Sequence, residues 1–74
     1  MKKKARVKFI AIVWKEGKHY VSQCLNLDIA SFGKTKKQAL EKLEEAVGLY
    51  LESNATKLPK ITSPSVEVRE LQYA

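Results

Sequence analysis

The stretch SFGKTKKQALEKLEEAVGLYLES, residues Ser31 to Ser53, decides the fold because it joins the end of a strand to the clearest helix in the chain. Apolar residues recur in it at helical spacing and form one stripe, with charged residues opposite. The stripe consists of Ala39, Leu40, Leu43, Ala46, Val47, Tyr50 and Leu51. This pattern predicts an amphipathic helix from about Lys36 to Ser53. Gly48 falls on the polar face, where the pattern gives no reason for a glycine beyond a close approach by another backbone.

The helix is preceded by Gly33-Lys34-Thr35, which raises the question of a phosphate-binding loop. The full loop pattern needs an earlier glycine at the position where this chain has Asp28, whose negative side chain would repel a phosphate. A capping box explains the residues better, because Thr35 is followed three residues later by Gln38. Gly33 is then expected to give the backbone freedom for leaving the strand.

Three strands are predicted before the helix. The segment Arg6 to Trp14 is rich in β-branched and aromatic residues, and His19 to Cys24 returns after a loop that contains Gly17. The third strand is expected from Ile29 to Lys34, after a turn at residues 26–28.

After the helix, residues 54–65 form a turn-rich connecting loop with two prolines as breakers. Val66 to Tyr73 then reads as a last strand that returns beside the first. The prediction is a single α+β domain over residues 1–74 in the order β-β-β-α-β. It has a mainly antiparallel sheet and one helix packed on one face.

The first strand is apolar on both sides, although the chain supplies only one helix to cover the sheet. Side chains alternate along a strand, so Ile10, Ile12 and Trp14 face away from Phe9 and Ala11. An apolar face without a cover usually marks an interaction site. The candidate partner or oligomer interface is therefore Ile10, Ile12 and Trp14, together with Tyr20 on the next strand. In the alternative, Leu58 and Ile61 of the connecting loop cover this face.

A chain of 74 residues buries only about 60% of its unfolded surface, so small domains commonly need a further source of stability. Cys24 is the only cysteine and His19 the only histidine, which excludes a disulfide within the chain and a zinc site built by one copy. Self-association into a homodimer or higher oligomer remains, and no metal or cofactor is expected. No apolar run approaches the ~20 residues of a membrane span, so we expect a cytoplasmic protein.

The net charge of +6 permits a nucleic-acid partner. Part of it lies in residues 1–5, which are expected to be a disordered basic terminus. A second group, Lys34, Lys36 and Lys37, surrounds the helix start and is the candidate anion or RNA patch. With Trp14 and Tyr20 as stacking groups, this patch makes a small RNA-binding domain the alternative function.

Enzymatic signatures are poor. Asp28 is the only aspartate, most glutamates lie on the polar face of the helix, and no paired carboxylates converge. No acid or nucleophile is placed near His19. The sequence therefore predicts a protein that is not an enzyme.

The run from Tyr20 to Glu52 resembles the HicB antitoxin family. The matching positions are Tyr20, Val21, Cys24, Gly33, Thr35, Ala39, Leu40, Glu45, Ala46, Leu49, Tyr50, Leu51 and Glu52. The resemblance implies a truncated ribonuclease-H-like fold without ribonuclease chemistry. It also implies that the chain binds a small HicA-type toxin, an mRNA-cleaving protein, and masks its active site, and that it forms dimers or higher assemblies.

The chain departs from the family pattern in three ways. Leu25 stands where relatives often have proline, and Lys36 and Lys37 replace common acidic residues. Many relatives also continue into a DNA-binding helical module, whereas this chain stops after its last predicted strand. An interaction module that neutralises a toxin, without operator binding of its own, is therefore the expected function. Besides the RNA-binding domain, a homo-oligomeric structural protein without a toxin partner is the other alternative.

Overall fold

A computed structural model describes residues 7–54 and 58–73 of the chain. Three strands, β1 (Ala11–Glu16), β2 (His19–Cys24) and β3 (Ile29–Gly33), precede one helix, α1 (Lys36–Asn54). The strands form an antiparallel sheet in the order β1-β2-β3. The predicted α+β arrangement with one helix on the sheet is confirmed. The predicted disorder of residues 1–5 concerns a segment outside the described residues.

The first strand lies further along the chain than the sequence predicts. It begins at Ala11 and continues to Glu16, which pairs with His19 across the turn. The turn is therefore only Gly17-Lys18, and Gly17 takes a φ of 62°. Two-residue hairpin turns need positive φ and fit the twist of the strands, so Lys15 and Glu16 remain in the ladder instead of forming a loop.

The core lies between α1 and one face of the sheet. Leu43 and Val47 of α1 pack with Cys24 of β2, and all three are buried. Half-buried apolar side chains surround this cluster: Phe9, Ala11, Leu27, Ile29 and Leu51. The predicted apolar stripe of the helix is thus the face that meets the sheet.

Close contact between β3 and α1 depends on Gly33. A Cβ atom at this position would lie 2.7 Å from the backbone nitrogen of Ala39, closer than any ordinary contact. Gly33 does not have positive φ, which among the described glycines is confined to Gly17. The glycine is needed for space and not for backbone freedom, which corrects the sequence-based explanation.

The predicted capping box is confirmed at the start of α1. The backbone N–H of Gln38 donates to Thr35 Oγ1 at 3.0 Å, and the backbone N–H of Lys34 donates to Gln38 Oε1 at 2.6 Å. Two backbone donors at the strand-to-helix junction are therefore satisfied within the chain.

The predicted last strand, Val66 to Tyr73, is wrong. Residues 64–73 are extended but join no ladder in the described chain. Ser63, with a φ of 51°, and Pro64 precede this segment, and Val66 lines a cavity with Ile10 and with Ile12 of β1 instead of pairing as a strand. The element order of the described residues is accordingly β-β-β-α.

The connection before this segment is fixed to the body by Asn26. Its side-chain amide donates to the Pro59 carbonyl at 2.7 Å, and its side-chain oxygen accepts from the Ile10 backbone N–H at 2.7 Å. One side chain in the β2–β3 turn thus holds both the approach to β1 and the residues that follow the helix.

Candidate interaction surface

The sheet has one face that α1 does not cover. The hydroxyl of Ser22 is buried and donates to the Ala39 carbonyl of α1 at 2.7 Å, so Ser22 points toward the helix. Its neighbours Val21 and Gln23 therefore point away from the helix. Directly paired residues lie on the same side of a sheet, so the partners of Val21 and Gln23 in β1 and β3 also point away from the helix. We name this side of the sheet the open face. It carries Ile10, Ile12, Trp14, Val21, Gln23, Leu25, Ala30 and Phe32.

One row of the open face combines two aromatic side chains with a valine. Trp14 pairs with Val21, and Val21 pairs with Phe32, so the three residues cross all three strands. Trp14 is 38% exposed and Phe32 is 62% exposed. We name Trp14, Val21 and Phe32 the aromatic row. Directly paired residues of a sheet lie about 5 Å apart at Cβ, so the row is one continuous apolar surface.

Polar groups border the aromatic row at the hairpin end. The indole N–H of Trp14 donates to Glu16 Oε2 at 3.2 Å. The ring of His19 meets Phe32 edge to face, with 6.5 Å between centroids, and the Lys42 amine lies 5.5 Å from the Phe32 centroid. The apolar centre therefore has a rim that carries an acid, an imidazole and an amine. A polar rim around an apolar centre is the usual composition of a protein interface.

The opposite end of the open face meets the chain's own C-terminal part. Ile10, Ile12 and Leu25 line one cavity together with residues 64–66. The structure thus brings the predicted interface residues Ile10, Ile12 and Trp14 onto one face, but residues 64–66 lie against the first two. Trp14 belongs to the end that this segment does not reach.

Leu58 and Ile61 do not cover the aromatic row. They share a cavity with Phe9 and with Leu40 and Glu44 of α1, between the start of the first strand and the helix. Of the open-face residues, only Ile10 shares that cavity with Leu58 and Ile61, so the sequence-based alternative does not extend to Ile12 and Trp14. Residues 64–66 line a different cavity, with Ile10 and Ile12.

Tyr20 does not join the other predicted interface residues. It pairs with Lys15 and Gly33 and has the same orientation as Ser22, so its side chain lies on the helix side of the sheet. Trp14 and Tyr20 therefore cannot form a single stacking platform. Phe32 takes the expected place of Tyr20 on the open face. Its alternation with Ser31 and Gly33 in a predicted strand was the signal that could have found it.

Lys34, Lys36 and Lys37 are all exposed at the start of α1, as predicted. However, the capping box already occupies the backbone N–H groups of Lys34 and Gln38, which a phosphate at this position would need. The patch therefore offers three exposed amines, and two of the nearby backbone donors are already bonded within the chain. Its role in anion or RNA binding stays a prediction.

The other candidate ligands are dispersed. Cys24 is buried in the core, and His19 is exposed on the sheet. Across residues 7–54 and 58–73, no three His, Cys, Asp or Glu side chains are grouped so that they could hold a metal ion. Within the same residues, α1 is not apolar and long enough to cross a bilayer.

Comparison of the chain with models of known protein families, with curated proteins and with solved structures gives no significant match.

Proposed function

We propose that this chain is a protein-interaction module of the antitoxin type, which binds a small HicA-type mRNA interferase and masks its active site. The observation that carries the proposal is the aromatic row, an exposed apolar strip on the face of the sheet opposite the helix. The identity of the partner comes from the resemblance of residues 20–52 to the HicB family.

The composition of the row supports a docking role. Tryptophan, tyrosine and arginine dominate the binding energy of protein interfaces, and large aromatic side chains are enriched there. A hydrogen bond to Glu16 also orients the Trp14 side chain before any partner binds. A preordered side chain loses less conformational freedom when it is buried.

The position of the row suits inhibition by obstruction. A sheet face is broad and rigid, and the helix on its other side holds the strands in place. A partner seated on Trp14 and Phe32 would have its RNA-binding surface blocked without any chemistry from this chain. This role accounts for the exposed apolar strip on the open face.

The test is co-expression of this chain with the product of the adjacent small open reading frame, followed by affinity purification. Trp14→Lys places a charge in the aromatic row and should weaken binding by about thirtyfold or more, as expected for a central aromatic anchor. Leu49→Lys is the matched control, because Leu49 is an apolar residue of α1 that is 59% exposed and lies away from the row. Circular dichroism should show an intact helix in both variants.

The two variants separate docking at the row from nonspecific apolar contact. Capture by the wild type and by Leu49→Lys, with loss in Trp14→Lys, supports the proposal. Equal loss in both variants would contradict it, as would a HicA-type neighbour that does not bind the wild type.

A further inference from the structure

The C-terminal segment Val66–Tyr73, here named the tail, has the properties of a strand that lacks a partner. Its large apolar side chains Val66, Val68, Leu71 and Tyr73 are 84–95% exposed. Polar residues alternate with them, apart from the additional residue between Val68 and Leu71. The tail is extended and joins no ladder among the described residues. Exposure of four large apolar groups in one extended segment is typical of a sequence that is buried in an assembly.

The strand β1 offers a matching edge. It lies at one side of the sheet, with β2 as its neighbour in the ladder. The Leu25 backbone N–H donates to the Ile10 carbonyl at 2.8 Å, and bonded pairs alternate along an antiparallel ladder. Ile12, Trp14 and Glu16 therefore direct their backbone groups to β2, whereas Ala11, Val13 and Lys15 direct theirs outward. This edge can accept another strand.

The tail and β1 are also compatible in length and in charge. β1 has six residues and so spans about 20 Å, and the extended tail spans about 26 Å at 3.3 Å per residue. The tail carries Glu67 and Glu70 with a single Arg69, although the whole chain has a net charge of +6. Lys8 and Lys15 lie along β1 and its approach and Glu16 ends the strand, so this edge carries one net positive charge. An acidic strand would thus meet a basic edge.

The tail does not pair with its own β1 among the described residues. Ser63 and Pro64 direct it across the open face at Ile10, and the molecule extends over 59 Å in its longest dimension but only 19 Å in its shortest. A second copy can supply a tail that pairs with β1, without any change in the sheet or in α1 of either copy. Exchange of an identical element between two copies also closes the assembly, because each copy both gives and receives one strand.

We propose that two copies of this chain form a dimer by exchanging tails, with each tail pairing as an additional strand against the β1 edge of the other copy. The exchange would bury the apolar tail residues and remove an unpaired edge in each copy. This inference does not depend on the proposed partner, because it concerns the edge of the sheet and the tail and needs no toxin.

The first test is the oligomeric state of the full chain, followed by light scattering and sedimentation over a dilution series. Val68→Pro should raise the dimer dissociation constant by about a hundredfold, because proline removes a ladder donor in the middle of the exchanged strand. Val68→Thr is the control, since threonine keeps the shape and the strand preference of valine. Val68 is almost fully exposed, so neither change should disturb the body. A monomeric wild type would overturn the proposal, and so would a dimer that is indifferent to Val68→Pro.

The second test shows which copy provides the tail. A mixture of isotopically light and heavy chains is treated with a zero-length carbodiimide reagent, which joins amines to carboxylates in direct contact. The expected product links Lys15 to Glu67 or Glu70 and contains one light and one heavy peptide. Products with both peptides always of the same label would show that the tail pairs within its own chain, and the absence of any such product would show that the tail is not at β1. Either result overturns the exchange.

Discussion

The two faces of the sheet are built from the same three strands but differ in what covers them. On the helix side, Cys24 and Ser22 are fully buried beneath α1. On the open face, Trp14 and Phe32 remain exposed on either side of Val21, the β2 residue next to Ser22. The buried core therefore lies on the helix side, and the exposed aromatic groups of the open face contribute less to stability. Substitutions on the two sides should separate stability from binding.

The largest loss of stability is expected from Leu43→Ala. Leu43 is fully buried at the centre of the helix-side cluster, and its truncation removes apolar contacts and leaves a cavity. Such changes cost about 2–5 kcal/mol, a large share of the stability of a small domain. Urea denaturation followed by circular dichroism, at one fixed protein concentration, would measure it. A cost below about 1 kcal/mol would mean that the helix is not what holds the sheet together.

The next-largest changes in stability are expected from replacing each of two glycines with alanine. Gly33→Ala should destabilise the chain by about 1–3 kcal/mol, since the new Cβ would meet the backbone of Ala39 at 2.7 Å. Gly48→Ala should instead stabilise it by up to about 1 kcal/mol, because Gly48 is exposed within α1 and a Cβ there meets nothing within 4 Å. The midpoints of thermal or urea unfolding should therefore move in opposite directions. If both midpoints moved in the same direction, Gly33 would not be needed for space between β3 and α1.

The helix and its start were predictable because their signals are local. The apolar stripe has a fixed period, and the capping box depends on two residues three positions apart. The β2 strand was also predicted with the bounds that the structure gives it. The displaced bounds of β1 have a local cause as well, since the sequence pattern does not distinguish a four-residue loop from the two-residue turn at Gly17-Lys18.

The errors concern contacts between distant parts of the chain. Val66–Tyr73 has the composition of a strand, but whether it pairs depends on the direction set by Ser63 and Pro64. The orientation of Tyr20 depends on the register between β1 and β2, because a slip of one residue exchanges the two faces. The bonds that Asn26 makes to Ile10 and to Pro59 follow from the fold and have no sequence signature.

The smallest effect on stability, and the sharpest contrast between the two faces, is expected from Phe32→Ser. Phe32 is mostly exposed, and its neighbours are the edge of the His19 ring and the amine of Lys42, both of which can return to water. An exposed cation–π contact is worth about 0.5–1 kcal/mol, so unfolding in urea should shift by less than about 1 kcal/mol. Binding of the proposed HicA-type partner should nevertheless fall, because the serine removes the β3 end of the aromatic row. If Phe32→Ser instead unfolds the domain as Leu43→Ala does, the open face is part of the core, and its exposed aromatic groups cannot be assigned to binding.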